Sequence, residues 1–326
     1  MSIQIIKPGL FSTIQDEGRK GFQHLGINPN GAMDIRAMQI ANALVLNDVS
    51  QAILEFYFPG PVLRFTQPAV IALSGADFSA EINGVKVSIN QPLFISPNTI
   101  IQFGSKKWGQ VGYLSVQGGF HLSQWLNSYS TNVKAAAGGF EGGILKPGQT
   151  IDLNVKTSNK DTSKEFSIIP WKGSVKDFYH SNALQFIPGY EFKKLTASSQ
   201  ELFSSSVFSL LGQSDRMGYR LKGPSLELST NNEMISSAVT KGTVQLFPSG
   251  QCVVLMADHQ TTGGYPRMGH IIAADLPTLA QKTRNDAIYF KPTSIDQAEK
   301  LFLEQEQHLH KFTNACSLQL DAYHRH

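Results

Sequence analysis

The sequence predicts a mainly β fold in two domains with few helices. Most apolar runs are short, rich in β-branched and aromatic residues, and separated by Gly, Pro or Asn, which is typical of strands. A polar, lysine-rich stretch without periodicity divides the chain near its middle, as expected of a linker. Many short strands at close spacing favour compact β-barrels or sandwiches, and 326 residues are enough for two such domains.

The first half of the chain contains a series of candidate strands and one candidate helix. The strands are predicted over residues 61–65, 69–75, 78–89, 99–104 and 111–119. Asn83-Gly84 interrupts the third run, and because both residue types tolerate positive φ, the pattern predicts a β-hairpin. A helix is predicted over residues 34–47, where the apolar residues fall on one face and Asp34 can cap the start.

The change in composition predicts where the domains begin and end. The expected order is an N-terminal domain (1–155), a linker (156–168), a C-terminal domain (169–292), a C-terminal helix (293–312) and a tail (313–326). Strands of the second domain are predicted over residues 181–189, 206–212, 243–248, 252–258 and 286–291. Ser294 is the candidate cap of the C-terminal helix, whereas the tail shows no pattern and is expected to be unstructured.

Composition excludes several classes of partner. With 28 Lys and Arg against 25 Asp and Glu, the net charge is only +3, which gives little reason to expect nucleic acid. No apolar run approaches the roughly 20 residues that span a bilayer, so no membrane association is expected. Cys252 and Cys316 show no metal-ligand spacing and no disulfide framework. We therefore expect a soluble protein of the cytoplasm.

Common catalytic motifs are absent from the sequence. There is no G-x-S-x-G elbow, the glycine-rich segments lack the Lys-Ser/Thr ending of a P-loop, and no H-E-x-x-H occurs. The sequence therefore predicts no serine hydrolase of the α/β type, no P-loop nucleotide site and no bound metal.

Four polar clusters follow or precede apolar strands and are predicted to be loops. They cover residues 13–26, 30–34, 213–223 and 257–271. Each has an ordinary explanation, because Asp16 with Arg19 can form a surface ion pair and Gly263-Gly264 can supply positive φ in a turn. Together they favour a binding site for a small polar or amide-like ligand, because loops on a rigid scaffold commonly carry binding groups.

Longer motifs resemble those of a known family. "STIQDEGRKGFQHLGINPNGAMDIRAMQIANALVLND", "AILEFYFPGPVLRF", "SGADFSAEING", "SDRMGYRLKG" and "MADHQTTGGYPRMGHIIAADLPTLAQ" look like the allophanate-hydrolase-subunit-2 family, also called the biotin-dependent carboxyltransferase family. The match runs in order over nearly the whole chain. The resemblance implies two tandem cyclophilin-like β-barrel domains with few helices.

The resemblance also implies an activity and partners. Stand-alone members are typically the C subunit of a bacterial ATP-dependent 5-oxoprolinase, which converts 5-oxo-L-proline to L-glutamate. The C subunit is expected to act with the B subunit to activate the lactam by phosphorylation, and the A subunit is expected to hydrolyse it. ATP with Mg²⁺ is used by the complex, and the sequence leaves open whether this chain or its partner binds the nucleotide.

Two alternatives remain open at the level of sequence. Relatives in urea amidolyase transfer carboxylate from biotin to urea, so a biotin-dependent carboxyltransferase acting on urea or a similar amide is the first. Biotin enters only in this alternative, and the chain has no Met-Lys-Met biotinylation context. The second is a regulatory partner, without catalytic activity, of an inhibitor of a sporulation kinase.

Residue type and position within the family motifs give the candidate site. The candidate catalytic residues are Asp258, Gln260, Asp215 and Arg216. The candidate substrate-binding residues are Gln15, Asp16, Arg19, Asp34, Asn42, Thr261, Thr262, Gly263, Gly264 and Tyr265. A donor and an acceptor held together, such as Gln260 and Asp258, can recognise the N–H and carbonyl of an amide. Arg216 and Arg19 are expected to stabilise negative charge, and the aspartates to move a proton or help to hold Mg²⁺.

Overall fold

The structure, a computed structural model, describes residues 2–154, 165–175, 178–179, 183–230 and 234–324. It is mainly β with few helices, which confirms the predicted fold class. By its internal contacts the chain divides into two compact units. Unit 1 comprises Met1–Arg19, Asn30–Val175 and Gln307–His326, and unit 2 comprises Lys20–Pro29 and Lys176–Glu306.

Unit 1 is built on two antiparallel sheets. Its described strands are β1 (Ser2–Lys7), β2 (Ser12–Gln15), β3 (Ile53–Tyr57), β4 (Val62–Phe65), β5 (Ala69–Asp77), β6 (Ala80–Ile82), β7 (Val85–Lys86), β8 (Pro92–Ile95), β9 (Ile100–Phe103), β10 (Trp108–Val116), β11 (Thr150–Asp152) and β12 (Phe166–Ile168). One sheet has the order β11-β1-β4-β9-β6-β7 and the other β12-β8-β5-β10-β3-β2. Every strand predicted in this half is present, and β1, β2, β3, β8, β11 and β12 add to them.

Local sequence signals explain the turns and the helix of unit 1. Ile82 pairs with Val85 across the hairpin, and Asn83 and Gly84 both have positive φ (47° and 84°), as the sequence predicts. Helix α1 (Ile35–Leu44) begins after Asp34, whose Oδ1 accepts a hydrogen bond from the backbone N–H of Ala37 at 3.0 Å. All residues of α1 after the first are buried, because the helix packs on β5 and β10.

The core of unit 1 consists of aliphatic and phenylalanine side chains from both sheets. Ile3, Ile5, Leu63 and Ile101 come from one sheet and Leu54, Phe56, Ile71, Leu73 and Leu114 from the other, and all are buried in one cluster. Burying side chains of this size stabilises the fold by about 1.5–3 kcal/mol each. This packing fixes β2, whose end leads into the polar residues Asp16 and Arg19.

Unit 2 is built on a seven-stranded sheet. Its described strands are β13 (Ala183–Pro188), β14 (Ser209–Leu210), β15 (Gly218–Lys222), β16 (Ser237–Ala238), β17 (Thr243–Leu246), β18 (Cys252–Leu255), β19 (Thr262–Gly263), β20 (Arg267–Ile271) and β21 (Tyr289–Pro292), and its short helices are α2 (Ala197–Ser205) and α3 (Leu276–Ala280). The sheet order is β14-β15-β18-β17-β20-β13-β21, and β16 and β19 form a separate two-stranded ribbon. Only β13 and β21, among the strands described in this unit, pair in parallel.

Phenylalanines dominate the core of unit 2. Phe203 of α2 and Phe290 of β21 stack with ring centroids 4.7 Å apart, and Phe186 of β13 meets Phe203 edge to face. Aromatic pairs in such geometries add about 0.5–1.5 kcal/mol beyond their buried area. The cluster holds α2 against β21 at one edge of the sheet, whereas β17 and β20 carry polar residues.

The structure corrects the predicted boundaries. Residues 156–164 of the predicted linker lie outside the described residues, but its last residues form β12, which pairs with β8. Residues 20–29 belong to unit 2, and the predicted tail continues helix α4 (Ile295–His324). The helix is longer than predicted because Leu309 and Cys316, two turns apart, are both buried.

Tandem cyclophilin-like barrels are not confirmed. Each sheet in the described part of either unit has two edge strands in its pairing order. The mainly β class is therefore established, whereas the cyclophilin-like likeness stays an expectation from the family resemblance. Within the described residues no helix has both the length and the apolar composition needed to cross a membrane.

Candidate functional site

An ion pair between Arg216 and Asp258 is the central feature of the polar end of β15 and β18. Arg216 precedes β15 and Asp258 follows β18, and these strands pair with Gly218 opposite Leu255. The guanidinium donates from Nε to Oδ2 at 2.8 Å and from Nη2 to Oδ1 at 2.9 Å. Such bidentate, charge-assisted pairs fix geometry strongly, and here the side chains are only 7% and 17% exposed. The structure thus brings two of the predicted catalytic residues together.

Asp215, the third predicted catalytic residue, stabilises a turn. Its Oδ1 accepts backbone N–H bonds from Met217 at 2.8 Å and Gly218 at 3.2 Å, and the residue is exposed. This is the usual local role of an aspartate that closes a turn before a strand. The cluster at 213–223, which was predicted to be a loop, is only partly one, because β15 occupies most of its second half.

Gln260 contacts a second glutamine that sequence reasoning missed. Its Nε2 lies 3.4 Å from Oε1 of Gln245, which comes from β17 and is 1% exposed. Nε2 of Gln245 is buried and has no hydrogen-bond partner within the described residues. A buried amide donor without an acceptor is costly unless a ligand or water satisfies it. The sequence signal was weak, because Gln245 is one polar residue inside an apolar strand.

Gly263 and Gly264 do not have positive φ, unlike the turn glycines that the sequence allowed for. Gly263 lies in β19, where Thr262 and Gly263 pair with Ala238 and Ser237. A Cβ on Gly263 would collide with Nε2 of Gln245. A larger residue at position 263 would therefore require the Gln245 side chain to move.

The remaining residues of the segment have individual contacts. The carbonyl of Thr261 accepts the N–H of Val239 at 3.1 Å. Tyr265 is 42% exposed, and its ring lies 4.5 Å from that of Phe247. Thr262 is exposed in β19. Thr262 and Tyr265 thus remain accessible to a ligand, whereas the backbone of Thr261 is used to hold the ribbon.

His259 is buried between Asp258 and Gln260. Its Nδ1 lies 2.6 Å from the carbonyl of Gln260, and Asn28 donates from Nδ2 to the carbonyls of Asp258 and His259. Burial lowers the pKa of His259, and the charge of Lys241 lowers it further. The contact with Asn28 also explains why residues 20–29 pack with unit 2.

In unit 1, Asp16 organises a loop through its carboxylate. Oδ1 accepts from the N–H of Gly18 and the hydroxyls of Ser128 and Ser130, and Oδ2 accepts from the N–H of Tyr129 at 2.6 Å. The residue is 7% exposed. These bonds give Asp16 a structural role, and its contact with a substrate stays a prediction.

Arg19 is fully buried in the same loop system. It donates to the carbonyls of Trp125 and Ser130 and to Oδ1 of Asn30, and its guanidinium lies 4.2 Å from the Trp125 ring centroid. Burial lowers its pKa, whereas the charge of Asp16 acts in the opposite direction. An arginine with these acceptors fastens the loop in place, and its predicted role in binding an anion stays untested.

The other predicted residues of unit 1 are also buried. Gln15 donates to Thr13 at 3.0 Å, and its Oε1 has no partner among the described residues. Asp34 caps α1, and Asn42 donates to the carbonyls of Val49 and Gln51 and accepts from Ser115. Asp34 and Asn42 therefore support the fold around α1, and substrate contact by either remains a prediction.

A pocket of about 300 Å³ in unit 2 involves further residues that were not predicted. Its polar lining includes Glu191, Arg267, His270, Thr240 and Thr243. Arg267 and Glu191 form an ion pair with both contacts at 3.3 Å. Arg267 and His270 lie inside the segment 257–271, but their partners are far away in sequence, so no local pattern indicated them.

The described residues contain no ready set of metal ligands. No group of three or more His, Cys, Asp or Glu side chains there is arranged to hold an ion. Asp258 is engaged by Arg216, and Asp16 by a loop.

Comparison with known proteins identifies the class of protein to which this two-unit β structure belongs. The family model described as "Carboxyltransferase domain, subdomain A and B" matches residues 25–292, and the chain belongs to this family. It is 35% identical to the C subunit of 5-oxoprolinase from Escherichia coli (strain K12), covering 94% of this chain and 96% of that protein. It is 36% identical to the C subunit of 5-oxoprolinase from Haemophilus influenzae, covering 91% and 93%.

The fold is also similar to part of a much larger protein of known structure. The crystal structure of the Kluyveromyces lactis urea amidolyase superposes with a TM-score of 0.86 at 25% identity. The match covers 95% of this chain and 20% of that chain. The same fold thus occurs both as a chain of this length and as one segment of a larger enzyme.

Proposed function

We propose that this protein is the C subunit of an ATP-dependent 5-oxoprolinase and acts in the cytoplasm with the B and A subunits of that enzyme. In this proposal the B and C subunits together activate 5-oxo-L-proline by phosphorylation, and the A subunit hydrolyses the activated lactam to L-glutamate. The observation that carries the proposal is that the alignment with a 5-oxoprolinase C subunit covers nearly all of both chains. The chain matches 96% of the Escherichia coli 5-oxoprolinase C subunit, at 35% identity, so its size and its sequence agree with that role together.

The geometry of unit 2 supports recognition of an amide. Gln260 and Gln245 place amide groups side by side, and Nε2 of Gln245 is a buried donor without an acceptor among the described residues. A lactam carbonyl satisfies such a donor, and its N–H can bind a neighbouring amide oxygen. The Arg216–Asp258 pair orients the backbone from which Gln260 extends. ATP with Mg²⁺ supplies the phosphoryl group when the complex is assembled.

Reconstitution tests the proposal directly. This chain and the purified A and B subunits are mixed with 5-oxoproline, ATP and Mg²⁺, and glutamate release is followed while one component is omitted at a time. We expect release to require all components. Unchanged release without this chain would show that it is not the missing subunit.

A paired variant tests the assigned residues. Asp258→Ala combined with Gln260→Ala is expected to lower glutamate release at least about 100-fold, as removal of positioned polar groups commonly does. Asp296→Ala with Gln297→Ala, an exposed Asp–Gln pair at the start of α4, is the matched control and should retain activity. Circular dichroism and co-elution with the B subunit establish that both variants fold and assemble. Normal turnover in the first variant would remove these residues from the site.

A second candidate is a biotin-dependent carboxyltransferase acting on urea or a similar amide. The TM-score of 0.86 to the urea amidolyase structure favours it. The test supplies carboxylated biotin carrier and urea to the chain together with its B-type partner. Carboxyl transfer to urea with no glutamate release from 5-oxoproline would select this candidate over the first.

A further inference from the structure

The pocket of unit 2 has the composition of a ligand site. It is an open depression of about 300 Å³, and polar groups of Glu191, Arg267, His270 and Thr240 line it. Glu191 is 4% exposed and its ion pair with Arg267 lies at the wall, whereas Arg267 is one-third exposed. A concave site with an apolar lining and a few converging polar groups is the usual form of a small-molecule site.

Arg267 has donors left for a ligand. Its Nε and Nη2 contact the carboxylate of Glu191, and no acceptor among the described residues contacts Nη1. The edge of the guanidinium formed by Nη1 and Nη2 therefore remains available. Because this edge matches the two oxygens of a carboxylate, a bound carboxylate and Glu191 can occupy two different sides of one guanidinium.

The ion pair also keeps the carboxylate of Glu191 ionised beside Arg267. Burial acts to raise the pKa of Glu191, but the hydrogen bonds and charge of Arg267 lower it more, so the net effect is a lowered pKa. The guanidinium is thus held in place by a permanent partner. It does not need to reorganise when a ligand arrives.

His270 and the threonines provide neutral hydrogen-bonding groups on the same face of the sheet. Thr243 pairs with His270 across β17 and β20, and Gln245 pairs with Arg267 in the same ladder. Nδ1 of His270 lies 3.4 Å from Oγ1 of Thr240, and its Nε2 makes no hydrogen bond within the described residues. The pocket therefore offers the Nη1–Nη2 edge of the Arg267 guanidinium beside neutral hydrogen-bond donors and acceptors.

The rest of the wall is mostly apolar and includes one aromatic side chain, that of Tyr190. Ile187, Pro188 and Val239 line it, and the N–H of Val239 bonds to the carbonyl of Thr261. The pocket is thus joined through the β16–β19 ribbon to the segment that carries Gln260. An apolar wall of this size suits the methylene groups of a five- or six-membered ring.

We propose that this pocket binds a small monocarboxylate with a compact ring, its carboxylate held by the Nη1–Nη2 edge of Arg267. The inference rests on the proposed function for the choice of ligand, since 5-oxoproline carries such a carboxylate and urea does not. The pocket then selects the substrate by its carboxylate, and Arg267 is a specificity-determining residue.

Calorimetric binding to the full chain tests the proposal with two probes. We expect 5-oxoproline to bind, and 2-pyrrolidone, the same lactam without the carboxylate, to bind at least about tenfold more weakly. Arg267→Gln should weaken 5-oxoproline binding by about tenfold or more and leave 2-pyrrolidone unaffected. Arg284→Gln, which removes an exposed arginine of the same unit outside the pocket, is the matched control and should bind as the wild type.

A second variant changes affinity in the opposite direction. Glu191→Gln keeps a hydrogen-bond acceptor beside Nε and Nη2 of Arg267 but removes the negative charge that repels a bound carboxylate. It should therefore tighten 5-oxoproline binding several-fold, an effect that loss of structure does not produce. Arg267→Gln combined with Glu191→Gln leaves no unpaired buried charge, so it keeps the fold and should lack the preference for the carboxylate.

The outcomes separate this proposal from the proposed function. No binding of 5-oxoproline to the wild-type chain at about 10 mM, or equal affinity in Arg267→Gln and wild type, overturns the pocket assignment. If glutamate release still requires the chain in that case, the proposed function stands without this pocket. Carboxylate-dependent binding that Arg267→Gln abolishes supports the pocket even where reconstitution gives no glutamate.

Discussion

At the residue scale, the structure assigns different physical roles to side chains that look equivalent in sequence. Asp215, Asp258 and Asp16 all lie in polar clusters, yet Asp215 closes a turn, Asp258 pairs with Arg216, and Asp16 anchors a loop. Sequence reasoning grouped them because each is an acid in a polar segment of a family motif, able to move a proton or help to hold Mg²⁺. Only the fold shows which acid has its oxygens occupied by backbone N–H groups.

Gly263 and Gly264 provide a matched pair for a test at this scale. A Cβ on Gly263 collides with the buried Nε2 of Gln245, whereas a Cβ on Gly264 comes no closer than 3.2 Å to the hydroxyl of Ser236. We expect Gly263→Ala to lower the free energy of unfolding by about 1–3 kcal/mol, as overpacking does, and Gly264→Ala to change it far less. Urea unfolding measures both.

A compensating variant identifies the cause. Gln245→Ala in the Gly263→Ala background removes the colliding amide and should recover part of the lost stability. If Gly263→Ala is as stable as the wild type, or if Gln245→Ala adds its own loss in full, the two residues do not share this space.

At the element scale, short-range signals predicted the elements that they control. Asp34 before α1 and Asn83-Gly84 between β6 and β7 were correct because capping and turn formation depend on neighbours in sequence. The predicted end of α4, at residue 312, was wrong because tertiary contacts stabilise the helix around and beyond this residue. Phe312 packs so closely on Gly173 that a Cβ there would lie 2.5 Å from the ring.

Thiol reactivity tests whether the last turns of α4 are docked. Cys316 is 3% exposed, and burial raises its pKa to about 11; burial raises that of Cys252 in β18 to about 12. We therefore expect both thiols to react with a disulfide reagent at pH 8 more than about 100-fold slower than free cysteine, and at the full rate in urea.

Single-cysteine variants separate the two thiols. Cys252→Ala leaves only Cys316 and reports on the helix, and Cys316→Ala leaves only Cys252 and reports on the sheet. Fast reaction of the first variant in native buffer, with the second still protected, would mean that residues around 316 are not packed as described.

At the scale of the whole molecule, the mainly β class and much of the strand pattern could be predicted. The reason is that alternating apolar and polar residues, and the residues of turns, are local features of the sequence. The candidate site could be predicted only in part. Arg216 and Asp258 were named together, but Gln245, Glu191 and Arg267 were not. Their significance depends on tertiary contacts between distant parts of the chain, as with the ion pair between Glu191 and Arg267. Sequence periodicity carries no information about such pairs.

Buried histidines make the stability of the fold depend on pH. Burial lowers the pKa of His259 and of His270 below the usual 6.5, so the unfolded chain takes up protons at a higher pH than the folded one. The free energy of unfolding should therefore be at its full value above pH 6.5 and fall as the pH drops below it. The slope is at most about 1.4 kcal/mol per pH unit for each histidine, down to the folded-state pKa.

Urea unfolding between pH 5 and 8 measures this slope, with His270→Gln as the variant and exposed His310→Gln as the control. The expected result is a shallower fall in His270→Gln alone, because one partly buried imidazole with a lowered pKa has been removed. An identical pH profile in all three proteins would contradict the assignment.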